Sequence, residues 1–225
     1  MDLNPFYRYV FPGLLVKLLY PVRIVGRKNL PKTGGFILAI GPHTTEIESA
    51  VIAIALWKYK IRFFAKAEYW KKSRFIRFFM DSAAQIPLNR KDSVSAHATL
   101  GNGALEMLQG DVVAFYPEGT RNRWDKFLRK GRTGIGYTAL SAAQASDDVV
   151  LIVPLGLVDF DQLKFPWKMG FKWRRWTMAV GKPIEVRFHK GMPLAVQARS
   201  ITDETMHEIS RLSKRPYRDE KLDII

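Results

Sequence analysis

Gly35-Phe36-Ile37-Leu38-Ala39-Ile40, running into Gly41-Pro42-His43-Thr44-Thr45-Glu46-Ile47-Glu48, is the stretch on which the fold turns. The first six residues read as a short buried strand, and Gly41-Pro42 breaks it. Glu46 to Trp57, with Ile47, Ala50, Val51, Ile54 and Ala55 apolar, then reads as a helix. Strand, break and helix in direct succession are the building unit of an α/β layer structure.

His43 and Glu48 are five residues apart. On a regular helix, at roughly 100° per residue, five steps place two side chains about 140° apart, so they do not share a face. Contact between them requires His43 on the incoming loop and Glu48 in the first helical turn. A histidine held in this way through one ring nitrogen keeps the other free as a general base. A second reading stands beside it: Thr45-x-x-Glu48 also fits a capping box, in which the glutamate reaches back to the cap residue's backbone N–H. One carboxylate does not serve both roles well, so the two readings compete.

Outward from this unit, short apolar runs alternate with helical patterns. Ile61 to Ala65, Gln85 to Leu88, Val112 to Tyr116 and Val149 to Leu157 read as strands, while Ser93 to Gln109 and Gly134 to Ala145 read as helices. Trp176 to Val180 and Pro183 to Phe188 add late strands, and Ile201 to Lys214 a closing helix. The alternation predicts an α/β fold, a central largely parallel sheet flanked by helices. The pairs Gly101-x-Gly103 and Gly134-x-Gly136 lack the rest of a dinucleotide fingerprint.

Composition narrows the function. The chain has 225 residues, 47% of them hydrophobic, enough for a proper core without a linker-like break. It contains no cysteine, which excludes disulfides, thiolate nucleophiles and thiolate-bound metals. A net charge of +15 implies an anionic partner: nucleic acid, an acidic membrane surface or phosphorylated substrates.

No run approaches the roughly 18 uninterrupted apolar residues of a spanning helix. The N-terminal stretch Pro5 to Tyr20 mixes aromatics, leucines and cations, the composition of a segment lying in a membrane interface or of a helix packed on the domain's own core. The expected organisation is an amphipathic interfacial segment over residues 1–25 and a single α/β domain over residues 26–225.

The second informative stretch is Phe115-Tyr116-Pro117-Glu118-Gly119-Thr120-Arg121. It sets an arginine beside a glycine turn, where an anionic group can be held. A base in one segment and an anion-holding arginine in the other point to chemistry on a phosphorylated alcohol. Arg121, Arg123, Lys126, Arg129, Lys130 and Arg132 follow within twelve residues, with Asp125 the one carboxylate among them. Cations so crowded repel one another unless an anion, such as a lipid phosphate or the phosphates of a coenzyme A carrier, lies among them.

Four blocks in order carry a family resemblance: His43 with Glu48, then Ile86-Pro87-Leu88-Asn89-Arg90, then Tyr116 to Arg121, then Val153-Pro154-Leu155-Gly156. Together they resemble the motifs of the glycerolipid acyltransferases, whose best-known members act on lysophosphatidic acid. Here Pro42 stands where the family commonly has asparagine, and Glu48 where it has aspartate. The resemblance implies that His43 is the general base for the acceptor hydroxyl and that Glu48 orients it. It implies that Arg121, Glu118, Gly119 and Thr120 shape an acceptor phosphate site, with Arg90 and Lys66 as further phosphate-binding residues. Val153 and Pro154 match the block read as supporting the acyl chain or the fold.

The resemblance further implies an O-acyltransferase of phospholipid biosynthesis. It would move a fatty acyl group from an acyl thioester, on coenzyme A or acyl carrier protein, to a lysophospholipid. The expected acceptor is 1-acylglycerol-3-phosphate, giving phosphatidic acid; the alternatives are another lysolipid as acceptor, or a non-catalytic lipid- or nucleic-acid-binding protein. No metal and no cofactor beyond the thioester donor is expected. The expected place is the cytoplasmic face of the cell membrane, peripheral or monotopic, on anionic lipids. Trp167 to Trp176 interleaves aromatics with cations, a pattern shared by membrane-interface patches and single-strand nucleic-acid binders. A pure binding protein has no use for His43 near Arg121, so no nucleic-acid partner is expected.

Overall fold

β2 (Phe36–Gly41) is the axis of the molecule, with all six residues buried. A computed structural model describes residues 18–45, 47–89, 91–122, 126–160 and 176–217, with the backbone alone at Phe79 and Ser93. In chain order the elements are β1 (Val22–Val25), β2, α1 (Glu48–Ala55), β3 (Ile61–Lys66), α2 (Arg74–Ser82), β4 (Ile86–Leu88) and α3 (Ser93–Leu108). There follow β5 (Val112–Phe115), α4 (Gly134–Ser146), β6 (Val150–Val158), β7 (Trp176–Val180), β8 (Ile184–Val186) and α5 (Leu194–Ser213).

Among the described residues the strands form one eight-stranded sheet in the order β1-β7-β6-β2-β5-β3-β4, with β8 also on β6. β6, β2, β5, β3 and β4 all run the same way. β7 and β8 pair with β6 antiparallel, and β1 lies parallel to β7 at the edge. Their shared direction puts the C-terminal ends of β2, β3, β4 and β5 along one edge of the sheet.

Period-two alternation divides the core into two layers. Ile37 and Ala39 of β2 join Val113 and Phe115 of β5 under α3, α4 and α5. Phe36, Leu38 and Ile40 join Val112 and Ala114 on the opposite face, where Val51 and Ile52 of α1 cover them. A strand buried on both faces has no polar positions to spare, which is why β2, β5 and β6 read as continuous apolar runs. Close approach of helices is built with glycine: a Cβ at Gly136 of α4 would lie 2.3 Å from the Ala198 carbonyl oxygen of α5.

The architecture is the expected α/β fold with a mostly parallel sheet, and the strands fall close to their expected places. Three differences have physical causes. α5 starts at Leu194, seven residues before the expected Ile201. Its first turn shows no apolar stripe, since Leu194 and Val196 are exposed. It is held instead by buried Gln197, which accepts from the His189 N–H and donates to the carbonyls of His189 and Met192. β1 takes residues out of the expected interfacial segment: Val22–Val25 is a sheet edge, and Tyr20 beside it is buried with its ring 5.5 Å from Trp176. α2 was not anticipated at all. Residues 1–17 and the Trp167 to Arg175 part of the aromatic and basic stretch lie outside the described residues. Among the described residues no helix is long and apolar enough to cross a membrane.

Candidate active site

The chain leaves β2 toward α1 on one face of the sheet, while β5, its neighbour, leads to α4 on the other. Adjacent parallel strands whose connections depart to opposite faces leave a crevice beyond their C-terminal ends, the usual place for a ligand in an open α/β sheet. His43 lies on the loop after β2, and Tyr116 to Arg121 on the loop after β5.

His43 sits before the helix and Glu48 is the first residue of α1, as the spacing requires. Glu48 Oε1 is in direct hydrogen-bond contact with His43 Nδ1. The carboxylate is fully buried. A buried carboxylate is costly unless its oxygens are satisfied. Oε2 accepts from the Thr44 N–H at 3.1 Å, the Thr44 hydroxyl at 3.1 Å and the Thr45 N–H at 3.2 Å. Glu48 thus divides its oxygens, Oε1 meeting the ring and Oε2 the loop donors. The capping box is only half made: Glu48 takes the Thr45 N–H, while the Thr45 hydroxyl has no hydrogen-bond partner and the helix N-cap is Ile47. A carboxylate oxygen only accepts, so Nδ1 is the donor in this contact and Nε2 is left outside it.

Tyr116 fixes the plane of the imidazole. Its ring stacks on His43 at 3.9 Å and 20°, with Phe63 behind it at 5.9 Å. Its hydroxyl is 2.9 Å from Ser49 Oγ on α1. Desolvation by burial holds the Tyr116 hydroxyl well above its ordinary pKa of 10.0, and the nearby Glu48 charge adds to this. The phenol is thus a neutral support.

Glu118 is buried and faces inward. Oε1 accepts the His43 N–H at 3.0 Å, and Oε2 accepts from Asn122 Nδ2 at 2.7 Å and from the Arg129 N–H at 3.0 Å. The Asn122 N–H donates to the His43 carbonyl at 2.6 Å. The glutamate expected to help shape a phosphate site stitches the β5 loop to the histidine's backbone. Desolvation by burial raises its pKa from the usual 4.5, against the three bonds to it.

Gly119 closes the turn, its N–H bonded to the Tyr116 carbonyl at 2.9 Å. Its φ of +69° is a left-handed conformation suited to glycine, and an added Cβ would lie 2.4 Å from Arg132 Cδ. Arg132, from the basic run, therefore lies against this turn. Thr120 is exposed and Arg121 half-buried, one residue before the Asn122 N–H that touches His43.

Lys66 ends β3 and is exposed, in register with Leu88 of β4. It shares the C-terminal edge with the histidine, two strands away from β2. Arg90, two residues after β4 in sequence, lies outside the described residues. Val153 and Pro154 are buried in β6, paired with Leu38 and Ala39 of β2, a place in the fold's centre. The parts not anticipated from sequence are Thr44, Tyr116 and Asn122, none of which carries a periodic or spacing signal.

A histidine whose Nδ1 is held by a buried carboxylate thus lies beside an arginine-bearing glycine turn at the C-terminal edge of a parallel sheet, in an α/β protein. Residues 21–158, more than half of the chain, match the acyltransferase family. The chain belongs to that family and is an O-acyltransferase. It is 21% identical over 202 residues, 90% of this chain and 93% of the other, to the 1-acyl-sn-glycerol-3-phosphate acyltransferase of Bacillus subtilis (strain 168). The fold resembles the crystal structure of the 1-acyl-sn-glycerophosphate (LPA) acyltransferase PlsC from Thermotoga maritima, with a TM-score of 0.65 at 17% identity. That match covers 98% of this chain and 80% of the other.

Proposed function

We propose that the protein acylates the free hydroxyl of a lysophospholipid, with 1-acylglycerol-3-phosphate as acceptor and phosphatidic acid as product, using a fatty acyl thioester as donor. The observation that carries this reading is the two-sided use of Glu48. One oxygen directs His43 Nδ1 and the other locks the loop, so Nε2 is a positioned acceptor of a proton.

His43 Nε2 takes the proton as the acceptor oxygen attacks the thioester carbonyl carbon. The carbon–sulfur bond then breaks, and the thiolate leaves with the proton returned by the imidazolium. The Glu48 charge stabilises that imidazolium, and the Tyr116 stack keeps its plane fixed. Arg121, with Lys66 further along the same edge and with Arg90, receives the acceptor phosphate. Across a sheet, β2 to β4 is three strand spacings, roughly 14 Å, enough to spread a phosphate and a glycerol along one edge. The donor's own phosphates suit the basic run from Lys126 to Arg132.

We further propose that the enzyme works as a peripheral protein on an anionic membrane surface. The net charge of +15 supports this.

The deciding experiment is a panel assay of the purified protein, with one long-chain acyl-coenzyme A and one acyl carrier protein donor against several lysophospholipids and monoacylglycerol, products identified by mass spectrometry. Dominant turnover of 1-acylglycerol-3-phosphate is the expected outcome. Preference for another lysolipid overturns the acceptor assignment, and absence of thioester consumption with every acceptor overturns the catalytic one.

A further inference from the structure

α2 is a nine-residue helix whose described side chains include no buried one. Phe75 is 78% exposed and Phe78 63% exposed. Three positions apart, the two rings are about 60° from one another around the helix and form one face. A helix this short is marginal in water by itself, and helices are normally stabilised by packing an apolar face. Here that face points away from both core layers.

The helix is nevertheless built with care. Ser73 caps it, its Oγ accepting the Ile76 N–H at 3.1 Å. The preceding 3-10 turn, Ala67–Lys71, is tied to its far end by Trp70 Nε1, which donates to Asp81 at 2.6 Å. Arg77 approaches the same carboxylate at 3.8 Å. Tyr69 stands in this turn with the Lys72 ammonium 4.9 Å from its ring centre. Lys71, Lys72, Arg74 and Arg77 are exposed, and the eight residues from Lys71 to Phe78 contain no carboxylate.

We propose that the 3-10 turn and α2, residues 67–82, form a docking platform that seats the protein on an anionic lipid layer, with Phe75 and Phe78 entering the headgroup region and the four cations around them meeting lipid phosphates. Exposed rings flanked by cations fit a surface that is apolar beneath and negative above. Charge decides for this occupant: a second copy of the chain would bring four like cations against these four. The platform leaves the sheet from the C-terminal end of β3, on the edge that carries His43 and the Tyr116 to Arg121 turn. Docking there brings the lipid headgroups to the side on which the base waits. The inference rests on the proposed work at a membrane surface, but its test does not need turnover.

The test is flotation with vesicles of neutral phosphatidylcholine, with and without phosphatidic acid, comparing the full chain with Phe75→Ser/Phe78→Ser and with Arg74→Gln/Arg77→Gln. Both residue pairs are exposed and outside the catalytic machinery. Turnover on a short-chain lysolipid below its micellar concentration therefore checks that each variant is folded. The full chain is expected on acidic vesicles. The serine pair should weaken that partition by at least ~tenfold, and the glutamine pair by ~fivefold for each cation removed. Should the serine pair fail to fold, the glutamine pair decides.

Unchanged partition of folded variants overturns the platform, as does partition lost only on deletion of residues 1–17, which would place docking in the N-terminal segment. A concentration-dependent dimer abolished by the serine pair, without vesicle binding, would hand the face to a second copy. If the full chain binds no vesicle, the membrane reading falls with the platform, while turnover on the monomeric lysolipid still reports on acyl transfer.

Discussion

Glu118 holds the backbone of His43 across 75 positions of sequence: its Oε1 accepts the histidine's N–H at 3.0 Å. The Asn122 N–H returns the contact to the His43 carbonyl at 2.6 Å. His43 is thus gripped at both ends, its ring by Glu48 and its main chain by the loop that also carries Arg121. The positions of His43 and of the Tyr116 to Arg121 turn are therefore coupled.

For that reason Glu118→Gln should disturb more than its surface. An amide keeps one acceptor oxygen and puts an NH₂ in place of the other, so at least one of the His43, Asn122 and Arg129 donors faces another donor. We expect a loss of ~1–3 kcal/mol in urea unfolding and a fall of ~10- to 100-fold in turnover. Burial raises the Glu118 pKa, so its contribution to stability is full below the unfolded value of 4.5 and is lost as pH rises through the folded one. The glutamine variant lacks this titration. The stability gap between the two proteins should therefore narrow from about pH 4 to pH 7; a gap that widens would contradict the burial argument.

His43→Ala should lower turnover by ~10²–10⁴-fold, the usual worth of a positioned general base. The side chain is 20% exposed and lies on a loop, so the fold should survive. Circular dichroism and the acyl-transfer rate check this together. An alanine variant that retains full turnover would remove the histidine from the chemistry.

Glu48→Gln is expected to damage both activity and stability. The amide removes the charge that steadies an imidazolium and places an NH₂ among N–H donors of Thr44 and Thr45. Turnover should fall by more than ~100-fold, and melting temperature by several degrees for a ~1–3 kcal/mol loss. Glu48→Asp is the finer probe. Its arm is shorter by one C–C bond, ~1.5 Å, so it can reach the ring or the loop amides but not both. Substantial activity at reduced stability would show the ring contact is the one retained.

Arg121→Lys tests the acceptor phosphate site. A guanidinium binds phosphate through paired, planar hydrogen bonds that an ammonium cannot copy. The acceptor's Michaelis constant should rise much more than the thioester's, and more for a phosphate-bearing acceptor than for monoacylglycerol. One such contact is worth on the order of 1.5–3 kcal/mol, roughly ten- to a hundredfold in specificity. Equal losses for charged and uncharged acceptors would move the phosphate to the basic run.

Local pattern carried the sheet. Apolar runs at Phe36–Gly41, Val112–Phe115 and Val150–Val158 announce buried strands because both faces of each are covered, and the His43–Glu48 spacing forces the loop-then-helix geometry around the base. What the chain by itself determined is therefore its class of fold and the pairing of His43 with Glu48 at a strand-to-helix junction. β1 and α2 escaped that reading. One is a four-residue edge strand whose positions alternate between half-buried and exposed, and the other buries none of its described side chains. Only the tertiary structure decided that Glu48 divides its two oxygens between ring and loop, that Tyr116 plates the imidazole, and that Glu118 faces inward. Each of these depends on β2 and β5 lying side by side in parallel register, a contact between segments some seventy-five residues apart on which no local spacing bears.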